Sequence, residues 1–146
     1  MFNRDPVRSP HHKGLVFRSV TSADGQTVAD AGQDGRDVIL ASSARLQRLL
    51  LRGHQGRVRS VAVSPDGRLV ATTAADDTIR VWRSTGDSEP LVFRGHGLSA
   101  ENINFTPAGR LITTYDDGTI RVWRCEVCGP IKDVLRLADQ RIRNNQ

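Results

Sequence analysis

Residues 53–82 read GHQGRVRSVAVSPDGRLVATTAADDTIRVW, and residues 95–123 read GHGLSAENINFTPAGRLITTYDDGTIRVW. The same parts come in the same order: a Gly-His dipeptide, a strand pattern, a turn, a second strand, an acidic turn, and a third strand ending in tryptophan. Gly53-His54 and Gly95-His96 lie 42 residues apart. A fixed period of this length marks stacked units that bury their flanks on one another.

The earlier copy is the clearest. Val61 and Val63 alternate with Ser60, Ala62 and Ser64, which predicts a half-buried strand. In Ser64-Pro65-Asp66-Gly67 the proline presets φ and the glycine permits a positive φ, so the chain turns there. Leu69–Thr73 follows as a strand apolar enough to be buried on both faces. Asp76-Asp77 turns the chain again, and Ile79-Arg80-Val81-Trp82 returns it. β-branched and aromatic residues suit such a packed, pleated surface. The copy at 95–123 repeats this and is one residue shorter near Tyr115.

Residues 15–40 form a degraded first copy. Phe17-Arg18-Ser19-Val20 parallels Val58-Arg59-Ser60-Val61, and Ser22-Ala23-Asp24-Gly25 parallels Ser64-Pro65-Asp66-Gly67. Asp34 falls at the acidic turn, and Leu40 stands where a tryptophan is expected. Upstream, residues 1–14 hold an outer-strand candidate at 5–10, because Asp5-Pro6-Val7 precedes His12 as Glu89-Pro90-Leu91 precedes His96. Leu49-Leu50-Leu51 and Leu91-Val92-Phe93 are short strands ahead of the two clear copies. The tail, 125–146, differs in kind. After Gly129-Pro130, apolar residues at 131, 134, 135, 138 and 142 have helical spacing, and proline suits a first helical turn. One amphipathic helix over about 131–143 is expected, packing on the neighbouring unit or on another chain.

The 146 residues are enough for one domain with a real core. The net charge is +5, of which residues 1–14 and 131–146 carry +2 each. An excess held in two end segments is not the single basic stripe of a nucleic-acid binder. No apolar run approaches the ~18 residues of a membrane span, and the N-terminus has no apolar secretory core. Two cysteines are too few for a disulfide framework. A cytoplasmic setting is expected.

Gly-His, strand, Ser-Pro-Asp-Gly, Asp and Ile-Arg-Val-Trp, in that order and at this period, resemble the WD-repeat family. The resemblance covers roughly residues 15–124. It implies an all-β protein: a partial β-propeller of about three blades, each a four-stranded antiparallel sheet, with the C-terminal helix appended. Each copy is then expected to supply the outer strand of one blade and three strands of the next. The tail resembles the end of bacterial WD-repeat proteins, including STAND-type signalling ATPases. No GxxxxGK[ST] phosphate loop is present, so only the sensor part of such an ATPase is matched.

His54, Thr72, Asp76 and Trp82 could be taken for a hydrolase site, since Ser/Thr, His and Asp make up such triads. The resemblance implies instead that the four hydrogen-bond across one blade and pin its turns. Their counterparts are His96, Thr114 (or Thr113), Asp117 and Trp123. In the first copy only His12 and Asp34 remain. The pairs Asp76-Asp77 and Asp116-Asp117 could hold a cation or do acid–base work, yet turn chemistry accounts for both. Cys125 and Cys128 form one CxxC that could do redox chemistry or hold half a zinc site; a structural zinc needs four ligands and the thioredoxin-like βαβ context of a redox pair is absent, so plain thiols are expected. Arg80 and Arg121 could form a basic ring or pack their stems on apolar surface. No cofactor or metal is expected.

Propellers use about 4–8 blades, so three copies leave an open arc with two apolar flanks. Either the chain is part of a longer array, or two copies close a six-bladed ring as a homodimer. The expected function is a non-enzymatic scaffold or sensor that binds another protein. The alternatives are a detached regulatory end of a STAND-type ATPase or kinase acting in trans, and, remotely, a hydrolase.

Overall fold

The structure is a computed structural model, and it describes residues 15–32, 38–42, 47–94 and 99–124. Eleven strands run through these residues: β1 (Val16–Thr21), β2 (Thr27–Gly32), β3 (Val38–Ser42), β4 (Gln47–Leu51), β5 (Val58–Val63), β6 (Leu69–Ala74), β7 (Thr78–Arg83), β8 (Leu91–Arg94), β9 (Ala100–Phe105), β10 (Leu111–Tyr115) and β11 (Ile120–Trp123). They form three antiparallel sheets, β1-β2-β3-β4, β5-β6-β7-β8 and β9-β10-β11. No helix occurs among the described residues, so none there is long and apolar enough to cross a membrane. The expected helix at 131–143, the strand candidate at 5–10, and His12, Asp34, His96, Cys125 and Cys128 all lie outside the described residues.

The turns form for the reasons their residues supply. At Ser64-Pro65-Asp66-Gly67, the Ser64 hydroxyl donates to Asp66 at 2.6 Å and accepts the Leu69 N–H at 2.9 Å. Gly67 has φ +71°, the left-handed region open to glycine. Ser22-Ala23-Asp24-Gly25 repeats these bonds, with Ser22 donating to Asp24 at 2.5 Å and accepting Thr27 N–H at 2.9 Å. The fourth strands, β4 and β8, precede Gly53-His54 and Gly95-His96 in sequence but complete the sheets before them. Each clear copy thus shares its strands between two sheets, as the resemblance implied.

The sheets stack face to face. Val58, Val61, Val70 and Trp82 of the second sheet pack on Ala29, Ala31 and Leu51 of the first. Its other face, with Ala62, Ala71, Ile79 and Val81, packs on Ala100, Ile103, Leu111 and Tyr115 of the third. The expectation of a half-buried β5 is therefore corrected. Ser60, Val61 and Ala62 are all buried, because a sheet lies on each side. The alternation there is large against small, not apolar against solvated, and Ser60 Oγ accepts the Ile103 N–H at 3.3 Å.

Pairing registers also correct the first copy. Val20 pairs with Ala29 as Ala62 pairs with Ala71, and the irregularity at Val16/Arg18 matches that at Val58/Ser60. Val20 thus stands in the place of Ala62, not Val61, and Arg18 in the place of Ser60. Opposite Val28, where Trp82 sits opposite Val70, is Ala41; Leu40 is opposite Ala29.

The two outer flanks differ. Alternation along β1 and β2 puts Ser19, Thr21, Val28 and Asp30 on the flank of the first sheet that faces away from the second. The matching flank of the third sheet carries Asn102, Asn104, Ile112, Thr114, Ile120 and Val122. The expectation of two apolar flanks holds for the third sheet; on the first, Val28 and the exposed Leu50 share the flank with the hydroxyls of Ser19 and Thr21 and with Asp30.

Candidate functional site

The structure brings His54, Thr72, Asp76 and Trp82 together from four elements. His54 comes from the loop before β5, Thr72 from β6, Asp76 from the β6–β7 turn, and Trp82 from β7. The Trp82 N–H donates to Thr72 Oγ1 at 3.0 Å. Thr72 Oγ1 lies 2.7 Å from His54 Nε2, and His54 Nδ1 lies 3.1 Å from Asp76 Oδ2. One proton arrangement satisfies every group: indole N–H to the Thr72 oxygen, Thr72 O–H to Nε2, and Nδ1–H to the carboxylate. It needs a neutral imidazole. Burial pushes the His54 pKa down, against the pull of the adjacent Asp76 carboxylate.

Asp76 is held at about 2. Burial alone would raise it, but hydrogen bonds from Thr78, the Gln55 N–H and His54 outweigh that. The Thr78 hydroxyl donates to Oδ1 at 2.6 Å, and the Thr78 and Gln55 backbone N–H groups donate at 3.1 and 2.8 Å. Thr78 and Gln55 were missed in the sequence. A usable signal was present for the threonine, since Thr119 follows Asp117 by two residues as Thr78 follows Asp76. Asp117 accepts from the Thr119 N–H at 2.9 Å and its hydroxyl at 2.7 Å, which pulls its pKa down.

In the third sheet the Trp123 N–H donates to Thr113 Oγ1 at 2.8 Å. Thr113 pairs with Arg121 as Thr72 pairs with Arg80, so Thr113 is the counterpart of Thr72 and Thr114 is not. Thr114 sits on the opposite flank, opposite Asn102 and Ile120. The missing residue, expected near Tyr115, is instead lost from the β9–β10 turn: the Ser64 N–H reaches the Leu69 carbonyl five residues on, whereas the Thr106 N–H reaches the Arg110 carbonyl four residues on, and the irregularity at Thr114/Tyr115 is the same one as at Val58/Ser60.

Thr72 is fully buried and its oxygen is engaged on both sides. A nucleophile has to be reached by its substrate, and this hydroxyl is fully buried, with the indole N–H donating to it. Among the described residues, no three His, Cys, Asp or Glu side chains lie close enough together to hold a metal ion. Arg80 lies over the Trp82 ring at 5.9 Å and Arg121 over Tyr115 at 4.9 Å, so both lean on aromatic surface.

A second constellation gathers where the innermost strands begin. Leu15, Val16 and Phe17 are exposed, and the Arg57 guanidinium lies 5.1 Å from the Phe17 ring centroid. Arg59 bonds Glu101 of the third sheet. Arg18 passes in front of β5 and donates to Asn102 and Asn104 of β9, each at 3.2 Å. The sequence showed none of these contacts, because each joins residues about 40 or more apart on different sheets.

Comparison with known proteins adds the following. The family model described as "WD domain, G-beta repeat" matches residues 45–83 and 88–124, just over half of the chain. No curated protein matches. Among solved structures, one titled "Structure of U3-55K" has the same fold, with a TM-score of 0.69 at 22% identity. The match covers 78% of this chain and 37% of that one, so this chain spans well under half of its length.

Proposed function

We propose, on the premise that this chain belongs to the WD-repeat family, that it is a non-enzymatic platform on which another protein docks. Domains of this family typically bind other proteins. The observation that carries the reading is the exposed cluster of Leu15, Val16 and Phe17 beside Arg57, at the end of the sheets where β1, β5 and β9 begin. Large apolar side chains with an adjacent arginine are what an interface core uses, and they are otherwise costly to leave in water. The buried His54–Thr72–Asp76–Trp82 set serves structure in this reading. It fixes the loop at 52–57 and the turn at 75–77, so that the docking end is rigid before a partner arrives.

The chemistry of the patch favours a partner that offers an acidic group beside an apolar side chain. A second copy closing a six-bladed ring is the other partner raised by the sequence. It would set Ile120 and Val122 against a flank that mixes Val28 and Leu50 with Ser19, Thr21 and Asp30, whereas the cluster at Phe17 and Arg57 favours a different protein. A sensor acting on a STAND-type ATPase would use the same end of the sheets.

Affinity capture from the native host tests the reading, using the wild-type chain beside Phe17→Ala and Arg57→Glu variants. A protein retained by the wild type and lost with both variants is the expected result, and an ATPase in that role would single out the sensor form. Equal capture by all three chains overturns it.

A further inference from the structure

The layer between the second and third sheets is apolar along most of its length, with Ala62, Ala71, Val81, Ile103 and Leu111 in one cluster. Two hydroxyls break the pattern. Thr73 is fully buried and Tyr115 is 5% exposed, and neither Thr73 Oγ1 nor the Tyr115 hydroxyl has a hydrogen-bond partner in the protein. Thr73 shares with Ala71 the face of β6 that turns to the third sheet, and Tyr115 belongs to the cluster on the other side of the layer.

The layer between the first and second sheets supplies the comparison. Ala31 pairs with Arg18 as Thr73 pairs with Ser60, and Ala74 pairs with Val58 as Tyr115 pairs with Ala100. Ala31 faces the second sheet, and Ala74 shares with Val70 the face that turns to the first. One layer therefore has two methyl groups in the places where the next has two hydroxyls. Both hydroxyls stand toward the end of the layer where the Ser99 hydroxyl donates to Asp77 at 3.1 Å.

We infer that a water molecule is bound inside this layer, held by the hydroxyls of Thr73 and Tyr115. A buried hydroxyl left without a partner lowers the folded-to-unfolded ratio by a factor of about five or more, and buried polar groups are almost always paired, with protein or with ordered water. An internal water takes about two to four polar partners, and this end of the layer supplies that many. Ser60 stands opposite Thr73 in the register, so the two side chains share a face. Its oxygen accepts the Ile103 N–H at 3.3 Å, which leaves its own proton to donate. Arg59 leaves the chain at the β5 irregularity beside Ser60, and its buried Nε–H also has no partner in the protein, although its terminus bonds Glu101.

In this arrangement the second and third sheets are joined by a polar bridge, whereas the first and second meet through Ala31 and Ala74 alone at the same level. The inference is independent of the docking surface at Phe17 and Arg57, because both hydroxyls are buried away from it.

Two measurements on the full-length chain test the site. A crystal structure fine enough to show ordered solvent should place one water within about 3.2 Å of both Thr73 Oγ1 and the Tyr115 hydroxyl. Urea unfolding of Thr73→Val, Tyr115→Phe and the double variant supplies the second readout. Each single substitution keeps the shape of the side chain and should lower the folded-to-unfolded ratio about fivefold or more. The double variant should lose less than the product of the two, since both act through one water. A single variant at least as stable as the wild type overturns the inference, because that is what removing an unpartnered hydroxyl does. So do losses that multiply independently, a crystal structure with no solvent peak between the two oxygens, or one in which they bond directly to each other.

Discussion

The indole N–H of Trp82 ends on the hydroxyl oxygen of Thr72, ten residues back in the chain, at 3.0 Å. That oxygen also meets His54 Nε2 at 2.7 Å. One threonine therefore satisfies two buried ring nitrogens, and its replacement should cost more than one hydrogen bond. Thr72→Val keeps the shape and strands both nitrogens, so a loss of about 2–4 kcal/mol is expected in urea unfolding. Thr113→Val strands the half-buried Trp123 N–H and should cost about 1 kcal/mol. Equal losses at the two sites would contradict this account of the pair.

Acid should weaken the fold in two stages. His54 has a folded pKa below its ordinary 6.5, so the unfolded chain binds more protons in that range. The stability it contributes is present above about pH 6.5 and is lost as the pH falls below that. Asp76 has its folded pKa lowered from 3.8 to about 2, so its contribution is present above 3.8 and is lost between there and 2. Unfolding midpoints measured from pH 8 to pH 2 should decline in both windows. Asp76→Asn should flatten the lower one, and a midpoint that instead rises on acidification from pH 7 to pH 5 would refute the neutral-imidazole arrangement.

Gly56 is a place where a methyl group has no room. An added Cβ would stand 2.7 Å from the Asp76 backbone N and 2.8 Å from the Ala75 carbonyl carbon. Neither atom can rotate aside, so Gly56→Ala should shift the turn that carries Asp76 and cost about 2–3 kcal/mol. Gly109 is the contrast, with φ +76° and nothing within 4 Å of an added Cβ. Gly109→Ala should cost only the left-handed backbone penalty, about 1 kcal/mol. Thermal melts of the two variants decide this, with the larger drop expected for Gly56→Ala.

Between the second and third sheets Ile103 is fully buried, in one cluster with Ala62, Ala71, Ile79 and Val81. Ile103→Ala should lose about 2–5 kcal/mol. Because the flank joins two sheets, hydrogen exchange should rise in β9 and β10 ahead of β1 and β2. Uniform loosening of all three sheets would show that they unfold as one unit instead.

Much of the fold could be read in the residues, because the turns declare themselves. Ser64-Pro65-Asp66-Gly67 and Ser22-Ala23-Asp24-Gly25 each carry a local hydrogen-bond scheme that needs no distant partner. Strand register was harder. The likeness of Arg18-Ser19-Val20 to Arg59-Ser60-Val61 invites an alignment one residue away from the true one, and a shift of one residue moves every side chain to the other face. The shared serine of the turn is the better anchor, and it puts Val20 level with Ala62. The choice between Thr113 and Thr114 was open for a related reason. A residue missing from the copy can be placed before or after the threonines; the pairing of Thr113 with Arg121 and the shorter turn from Thr106 to Arg110 put it before them. The contacts around the axis were out of reach altogether, since the reach of Arg18 to Asn102 depends on how far each sheet is rotated from the last.

The position of β8 has a consequence for how the protein is made. Leu91–Arg94 lies in sequence with the residues that build the third sheet, yet it is hydrogen-bonded along β7. As the chain leaves the ribosome, β5, β6 and β7 emerge with one edge bare, and the second sheet stays unfinished until residue 94 is free of the exit tunnel. Birth order and sheet order are therefore one unit out of step, and at each step the growing molecule exposes an edge that only its own next segment is shaped to close.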